Sequence, residues 1–115
     1  MPAFFATPIK ARYCNESNAS ARVTSYANNG SPALQFFTIQ GELLCTASVC
    51  LGEIPGPNEI FIKSWSENEG MGEALEEQGL VGPIIRHIPA GYCAVEVREM
   101  RGKLLEAWNE HLEEI

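Results

Sequence analysis

The sequence predicts an α+β fold: an antiparallel β-meander sheet of about five to seven strands, one short inserted helix and a C-terminal amphipathic helix. Three observations indicate this class. Short β-type runs alternate with turn residues in the first half, a capping signature begins at Ser66, and apolar residues recur at helical spacing after Met100. The chain of 115 residues fits one domain, since independently folding units cluster near roughly 100–150 residues. We therefore expect a single domain over residues 1–115.

The first half is predicted to be a series of strands joined by short connections. Polar turns are expected at residues 15–20 and 28–32, the second of them dense in Asn, Gly and Pro. Such short connections favour antiparallel neighbours and hence a meander. Of the adjacent pair Phe36 and Phe37, one must face outward, and we expect a helix to cover it in preference to a partner-binding patch. The predicted strands are residues 8–13, 21–27, 34–40 and 43–51.

The second half begins with a strand at residues 59–65 and then a capping box. Ser66 and Glu69 have the spacing in which each side chain bonds the backbone N–H of the other. The short helix that follows presents Met71, Ala74 and Leu75 to the core and ends at Gly79. Two further strands, residues 84–88 and 92–97, are expected on either side of a Pro-Ala-Gly turn.

Residues 100–115 are predicted to form the second helix. One apolar stripe is expected at helical spacing, and it comprises Leu104, Leu105, Trp108, Leu112 and Ile115. His111, beside Leu112, is expected to face solvent.

The charge balance is acidic, with 15 Asp and Glu against 8 Lys and Arg and a net charge of -7. Direct nucleic-acid binding is disfavoured, because phosphate contacts need Lys and Arg. Two interpretations remain: solubility, or an acidic face that meets a basic partner surface. The sequence has no basic segment followed by a long apolar stretch at its start, and no apolar run near the roughly 18–20 residues of a membrane helix. We therefore expect a cytoplasmic protein without membrane contact.

No arrangement typical of catalysis or cofactor binding is present. The four cysteines are expected to be reduced thiols. Cys45 and Cys50 would point to opposite faces of one strand, and His87 with Cys93 gives only two ligands, so no metal site is predicted. No cofactor or catalytic residue is predicted, and a non-enzymatic protein is favoured over an enzyme.

The block from Phe61 to Met71, which contains Ser66-Glu67-Asn68-Glu69-Gly70, resembles a family of small uncharacterised proteins from phages and mobile elements of gut bacteria. The Gly79-Leu80-Val81 segment that follows is similar to the same family. So are the turns at residues 25–30 and 88–92. The terminal helix departs from the pattern. The resemblance implies a genetic setting and no activity.

The function expected from these observations is that of a non-enzymatic accessory protein that binds a macromolecule, in particular an acidic inhibitor of a host defence or DNA-binding protein. The residues predicted to bind a protein partner are Glu76, Glu77, Trp108, Glu110, Glu113 and Glu114. Two alternatives stay open. One is a small-molecule-binding protein or enzyme with a pocket between sheet and helix, lined by His87, Cys93, Tyr92 or Trp65. The other is a structural or oligomerisation module that forms a homodimer through the C-terminal helix.

Overall fold

The computed structural model describes residues 2–114 and confirms the α+β class. Its first four strands form one antiparallel sheet in meander order, β1-β2-β3-β4. These strands are β1 (Ala3–Lys10), β2 (Asn15–Ser25), β3 (Pro32–Phe37) and β4 (Leu43–Thr46).

The remaining strands form a second antiparallel sheet, in the order β5-β7-β6. They are β5 (Glu59–Ile62), β6 (Val81–Ala90) and β7 (Cys93–Met100). The last strand along the chain therefore lies between the other two, because the β6–β7 hairpin folds back beside β5. Ser48 forms an isolated bridge with Ile62, which joins the two sheets where β4 ends. The seven strands thus lie in two sheets, and the first of these is a meander.

Two helices complete the fold: α1 (Met71–Glu77) and α2 (Gly102–Glu113). Between residues 2 and 114, neither is long and apolar enough to cross a membrane. Both helices contact β1, and α2 also contacts β2. The main core combines residues of both sheets and both helices, and its fully buried members include Ile9, Leu34, Phe36, Ile60 and Leu104. A smaller core, formed by Phe61, Val95 and Val97, lies against the second sheet.

The polar segment of residues 15–20, predicted as a turn, is instead the first half of β2. It pairs with β1 from Lys10 back to Ala6. Ala19, Ala21 and Val23 are buried in alternation along β2. Two of these three residues are alanine, whose side chain is small and only weakly apolar. The alternation that would indicate a strand is therefore hard to recognise in the sequence. The turn lies earlier, where the N–H of Ala11 donates to the carbonyl of Cys14 at 3.0 Å, and the strand predicted at residues 8–13 is wrong at both ends.

The predicted capping box at Ser66 is also wrong. Ser66 has a φ of +58° and begins a 3-10 turn over Ser66–Asn68, while Glu69 forms an ion pair with Arg12. The helix begins later because Gly70, with a φ of +82°, reverses the chain before α1. Its first turn is capped from upstream, where Ser64 Oγ accepts the N–H of Gly72 at 3.0 Å. The side chain that caps this turn thus comes from the loop after β5.

Replacing Ser64 with alanine is expected to lower the free energy of unfolding by about 1 kcal/mol, the usual effect of losing a helix cap. The matched variant Ser66→Ala should change it by less than about 0.5 kcal/mol, since its side chain caps no helix. Urea denaturation followed by circular dichroism measures both values. If Ser66→Ala lowered the free energy of unfolding more than Ser64→Ala does, the result would support the capping box at Ser66.

The end of α1 confirms the prediction at Gly79. Gly79 has a φ of +73°, and its N–H donates to Glu76 while the N–H of Leu80 donates to Leu75. This pair of bonds is the Schellman motif, which favours glycine at its left-handed position. Met71, Ala74 and Leu75 are buried as predicted.

The stripe of α2 is confirmed at Leu104 and Trp108 and wrong at its end. Leu112 is 44% exposed, whereas His111 is buried and its Nε2 lies 2.9 Å from Ser25 Oγ. The hydroxyl of Ser25 at the end of β2 thus gives the buried His111 a polar partner. Ile115 lies outside the described residues.

Candidate functional site

The two helices form an acidic layer. Within their bounds they carry six glutamates and a single lysine, Lys103. All six glutamates are exposed, because the apolar stripe of each helix faces the core. They are Glu73, Glu76, Glu77, Glu106, Glu110 and Glu113.

The segment that ends α1 lies against the beginning of α2. The N–H of Arg101 donates to the carbonyl of Leu80 at 2.8 Å. A Cβ at Gly102 would lie 2.7 Å from the carbonyl oxygen of Gly79, so the two segments are in direct contact. At a rise of about 1.5 Å per residue, the last turn of α2 is roughly 12–16 Å from this junction. The layer therefore carries two groups of carboxylates, one on each helix.

The structure places the predicted partner-binding residues in three different settings. Exposed on or at the end of the helices are Glu77, Glu110, Glu113 and Glu114. Glu76 is exposed as well, but its Oε1 accepts a hydrogen bond from Arg98 Nη1 at 2.9 Å. This carboxylate therefore has a structural partner already.

Trp108, the sixth predicted residue, is only 7% exposed and belongs to the main core with Leu104 and Phe36. Its ring is tilted by 34° to the imidazole of His111, and the ring centroids are 5.6 Å apart. The apolar stripe of α2 thus packs on its own sheet. A homodimer through this helix would use the acidic or polar faces that remain.

A buried arginine organises the surface beneath α1. Arg98 on β7 is 2% exposed, and it donates to Glu96 at 2.8 Å, to Glu76 at 2.9 Å and to the carbonyl of Gly82 at 3.0 Å. Burial lowers the pKa of Arg98, but the hydrogen bonds to Glu96 and Glu76 outweigh it and raise the pKa overall. A Cβ at Gly72 would lie 2.1 Å from Glu96 Oε1, so this glycine lets α1 pack on the network.

Elsewhere the basic residues are largely paired with glutamate. Lys63 donates to Glu67 and lowers the pKa of Glu67 to about 2, through that hydrogen bond first and a backbone hydrogen bond second. Outside the two helices, nine glutamates stand against seven lysines and arginines, so most of the surplus of negative charge lies on the helices. The other pairs recorded outside the helices are Arg12–Glu69, Arg86–Glu59 and Arg101–Glu99.

A polar cleft of about 370 Å³ opens beside β4 and the 3-10 turn before α1. Tyr26 Oη lies 2.9 Å from Ser48 Oγ in this cleft, and Asn68 Nδ2 donates to the carbonyl of Thr46 at 2.7 Å. Burial raises the pKa of Tyr26, which outweighs its hydrogen bond with Ser48. Most of these polar groups therefore satisfy one another. The remaining lining side chains include Tyr13, Cys45, Cys50 and Lys63.

Cys14 is buried in the main core, and Cys45 lines the cleft. A hydrogen bond with Cys45 lowers the pKa of Cys14 against the effect of burial. It raises the pKa of Cys45, and burial and the charge on Cys14 act in the same direction. The two residues lie 31 positions apart on different hairpins, and the sequence contains no spacing pattern that would have predicted their contact.

An apolar groove of about 460 Å³ lies on the outer face of the first sheet. Its walls include Phe4, Phe37 and Ile39, with Ser20 and Arg22 between them. Phe36, by contrast, is buried with α2 in the main core. The prediction that a helix covers the outward phenylalanine is therefore wrong. Arg22 lies along this face, where its Nη1 donates to Gln35 Oε1 at 2.9 Å.

The four residues predicted to line a pocket lie apart from these cavities. His87 and Tyr92 are exposed on the β6–β7 hairpin, Cys93 is half-buried there, and Trp65 packs on the smaller core. In the described part of the chain, no group of three or more His, Cys, Asp or Glu side chains is arranged to hold a metal ion.

Comparison of the chain with known protein families, with curated proteins and with solved structures finds no match.

Proposed function

We propose that this protein is a non-enzymatic binding protein whose acidic helical layer contacts a basic surface of another protein. The observation that carries the proposal is the segregation of charge: six glutamates and one lysine lie on the helices, whereas the rest of the chain has nine glutamates and seven lysines and arginines. A surface of one sign attracts a partner of the opposite sign and speeds association. A basic surface is typical of proteins that bind nucleic acid.

The positions of two of these carboxylates support a role in binding. Glu77 is the last residue of α1 and Glu113 is the last residue of α2. A negative charge at a helix C-terminus opposes the helix dipole and costs about 0.3–1 kcal/mol. These side chains therefore lower the stability of the helices that carry them, and a contact with a basic partner would offset that cost.

The proposed setting follows from the resemblance of the Ser66–Gly70 segment to proteins of phages and mobile elements. In the cytoplasm, such a protein would act as an accessory factor that occupies the nucleic-acid-binding surface of a host or phage protein. Carboxylates on the helices would take the place of phosphate groups. Such a protein is the inhibitor expected from the charge balance. Trp108 does not belong to the contact surface, because it is buried.

The test is a comparison of two variants with the same net charge. The helical variant Glu77→Gln/Glu110→Gln/Glu113→Gln should recover about tenfold less of a partner protein, or less still. Its three substitutions remove charges that attract the basic surface of that partner. The control variant Glu16→Gln/Glu42→Gln/Glu53→Gln lies outside the helices and should keep it. Tagged protein captures partners from a bacterial lysate over a series of salt concentrations, and mass spectrometry quantifies them. Glu76 is left unchanged because it holds Arg98.

The proposal would be supported by a captured protein that salt elutes and that the helical variant fails to recover. The unaltered chain and the control variant must both recover it. Equal recovery by the two variants would refute the proposal. Melting temperatures of both variants provide the folding control. Neutralising Glu77 and Glu113 should leave the helical variant at least as stable as the control, because it removes unfavourable contacts with the helix dipoles.

A further inference from the structure

The outer face of the first sheet carries a row of side chains that contains an arginine. Strand pairing places Phe4, Arg22, Gln35 and Thr46 side by side on β1, β2, β3 and β4. Gln35 Nε2 donates to Thr46 Oγ1 at 3.3 Å, and Gln35 Oε1 accepts a hydrogen bond from Arg22 Nη1 at 2.9 Å. These two bonds hold the guanidinium on the sheet face, in the same row as Phe4.

Arg22 differs from the other arginines of the chain, because it has no carboxylate partner. Within residues 2–114 it forms no ion pair, and its side chain bonds a neutral amide through a single N–H group. The remaining N–H groups of this half-buried cation are available to an anion, and the planar guanidinium suits a carboxylate in particular. The arginines that are paired with glutamate are Arg12, Arg86, Arg98 and Arg101.

Arg22 lines the apolar groove of about 460 Å³ on this face. Phe4 and Ile39, two of the wall residues, are 60% and 71% exposed, and Phe37 lies between the arginine row and Ile39 along the chain. Ser20 also lines the groove and shares a face with Arg22, because the two lie two positions apart on β2. The groove therefore has a polar, cationic part next to a longer apolar part.

We propose that this groove binds a free carboxylic acid with an unbranched alkyl chain. The carboxylate accepts hydrogen bonds from Arg22, and the chain lies over Phe37 toward Ile39. The backbone from Gln35 to Ile39 spans at most roughly 13–14 Å, so a chain of medium length is long enough to follow it. The volume of the groove is also in the range of sites for small ligands.

A peptide or a second copy of the chain fits this surface less well. The backbone groups of the sheet are used in the strand pairing, and Thr38 Oγ1 already accepts the N–H groups of Gln40 and Glu42. The amides of a peptide would therefore lie against the apolar walls without partners, which an alkyl chain avoids. A second copy would bring another unpaired Arg22 to the surface, and none of the described side chains that line the groove is a carboxylate.

The acidic helix α2 lies on the other side of the first sheet from the groove. Ala21 and Val23, the neighbours of Arg22 on β2, are buried in the main core, where α2 contacts this strand. Packed layers are roughly 10 Å apart, and exposed charges farther apart than the Debye length of about 8 Å in physiological salt are largely screened. The helical carboxylates therefore do not prevent an anion from binding, and the inference is independent of the role proposed for the helices.

The first experiment uses the unaltered protein, labelled with ¹⁵N and titrated with sodium decanoate at concentrations below the onset of micelles. We expect amide shifts grouped around Phe4, Arg22, Phe37 and Ile39. Decanol, which has the same chain without the charge, should bind about tenfold or more weakly, because it lacks the charged hydrogen bonds to Arg22. Hexanoate should also bind about tenfold or more weakly, since its shorter chain buries fewer methylene groups. Equal affinity for decanoate and decanol, shifts centred on the helices, or no binding of decanoate would overturn the proposal.

A pair of variants with the same net charge tests the arginine. Arg22→Gln should bind decanoate about tenfold more weakly and decanol as before, because only the charged contact is removed. Lys103→Gln loses its positive charge from α2 and should bind both ligands as the unaltered chain does. Weakening of decanoate binding by both variants to the same degree would overturn the role of Arg22. The comparison of decanoate with decanol on the unaltered chain decides the matter even where a variant fails to fold.

Discussion

Replacing Arg98 with methionine is expected to lower the free energy of unfolding by about 3–5 kcal/mol, the usual cost of removing one partner from a buried ion pair. Glu96 is 8% exposed and receives the Arg98 Nε–H at 2.8 Å. Without the guanidinium, its carboxylate would remain buried beneath α1 without a cation. Methionine preserves much of the side-chain volume, so the effect isolates the charge. Urea denaturation gives the change in free energy.

Two further variants show whether the charge is responsible. Arg12→Met breaks an ion pair whose side chains are 64% and 52% exposed, and should cost less than about 1 kcal/mol. The double variant Arg98→Met/Glu96→Leu removes both buried charges and should be more stable than Arg98→Met. If the double variant were the less stable of the two, packing of the arginine stem would be the main contribution and the charge argument would fail.

The second large effect is expected at Gly72, where alanine should lower the free energy of unfolding by about 2–4 kcal/mol. A new Cβ would lie 2.1 Å from Glu96 Oε1 and 2.8 Å from Arg98 Nη2. Both groups would have to move, and both are buried. Alanine also favours the helix by about 1 kcal/mol, which offsets only part of this loss.

Gly52 provides the matched control, because a Cβ there meets no atom within 4 Å. Gly52→Ala should change the free energy of unfolding by less than about 0.5 kcal/mol. Chemical denaturation of the two variants under identical conditions gives the comparison. A Gly72→Ala protein more stable than the unaltered chain would show that helix propensity governs this position, and that α1 does not need the close approach.

The sequence predicted the parts of the fold that depend on local chemistry. Gly79 ends α1 and the spacing of Leu104 and Trp108 orients α2, because backbone conformation and apolar periodicity act within a few residues. The start of α1 was mispredicted because two serines close to each other could each serve as a cap. Only the left-handed turn at Gly70 decides that Ser64 does so.

The parts that failed depend on contacts between distant segments. His111 was expected outside, but a hydroxyl 86 positions earlier makes an inward setting favourable. The division of the strands into two sheets and the place of β7 between β5 and β6 depend on strand pairing that no local pattern specifies. The same holds for the hydrogen bond between Cys14 and Cys45. Of the predicted site residues, the exposed glutamates required only helical periodicity, whereas the burial of Trp108 depends on the packing of α2 against the first sheet.

The contact between Gly79 and Gly102 has a practical consequence for labelling. The chain leaves this point, forms the β6–β7 hairpin and returns to the same point, so the tip of the hairpin is remote from the junction of the helices. Gly91 and Tyr92 form that tip, and both are exposed. Exposed hairpin tips accept added residues well. A fluorescent tag inserted there would leave both helices and both chain ends free, and would report on a bound partner without altering the surface under study.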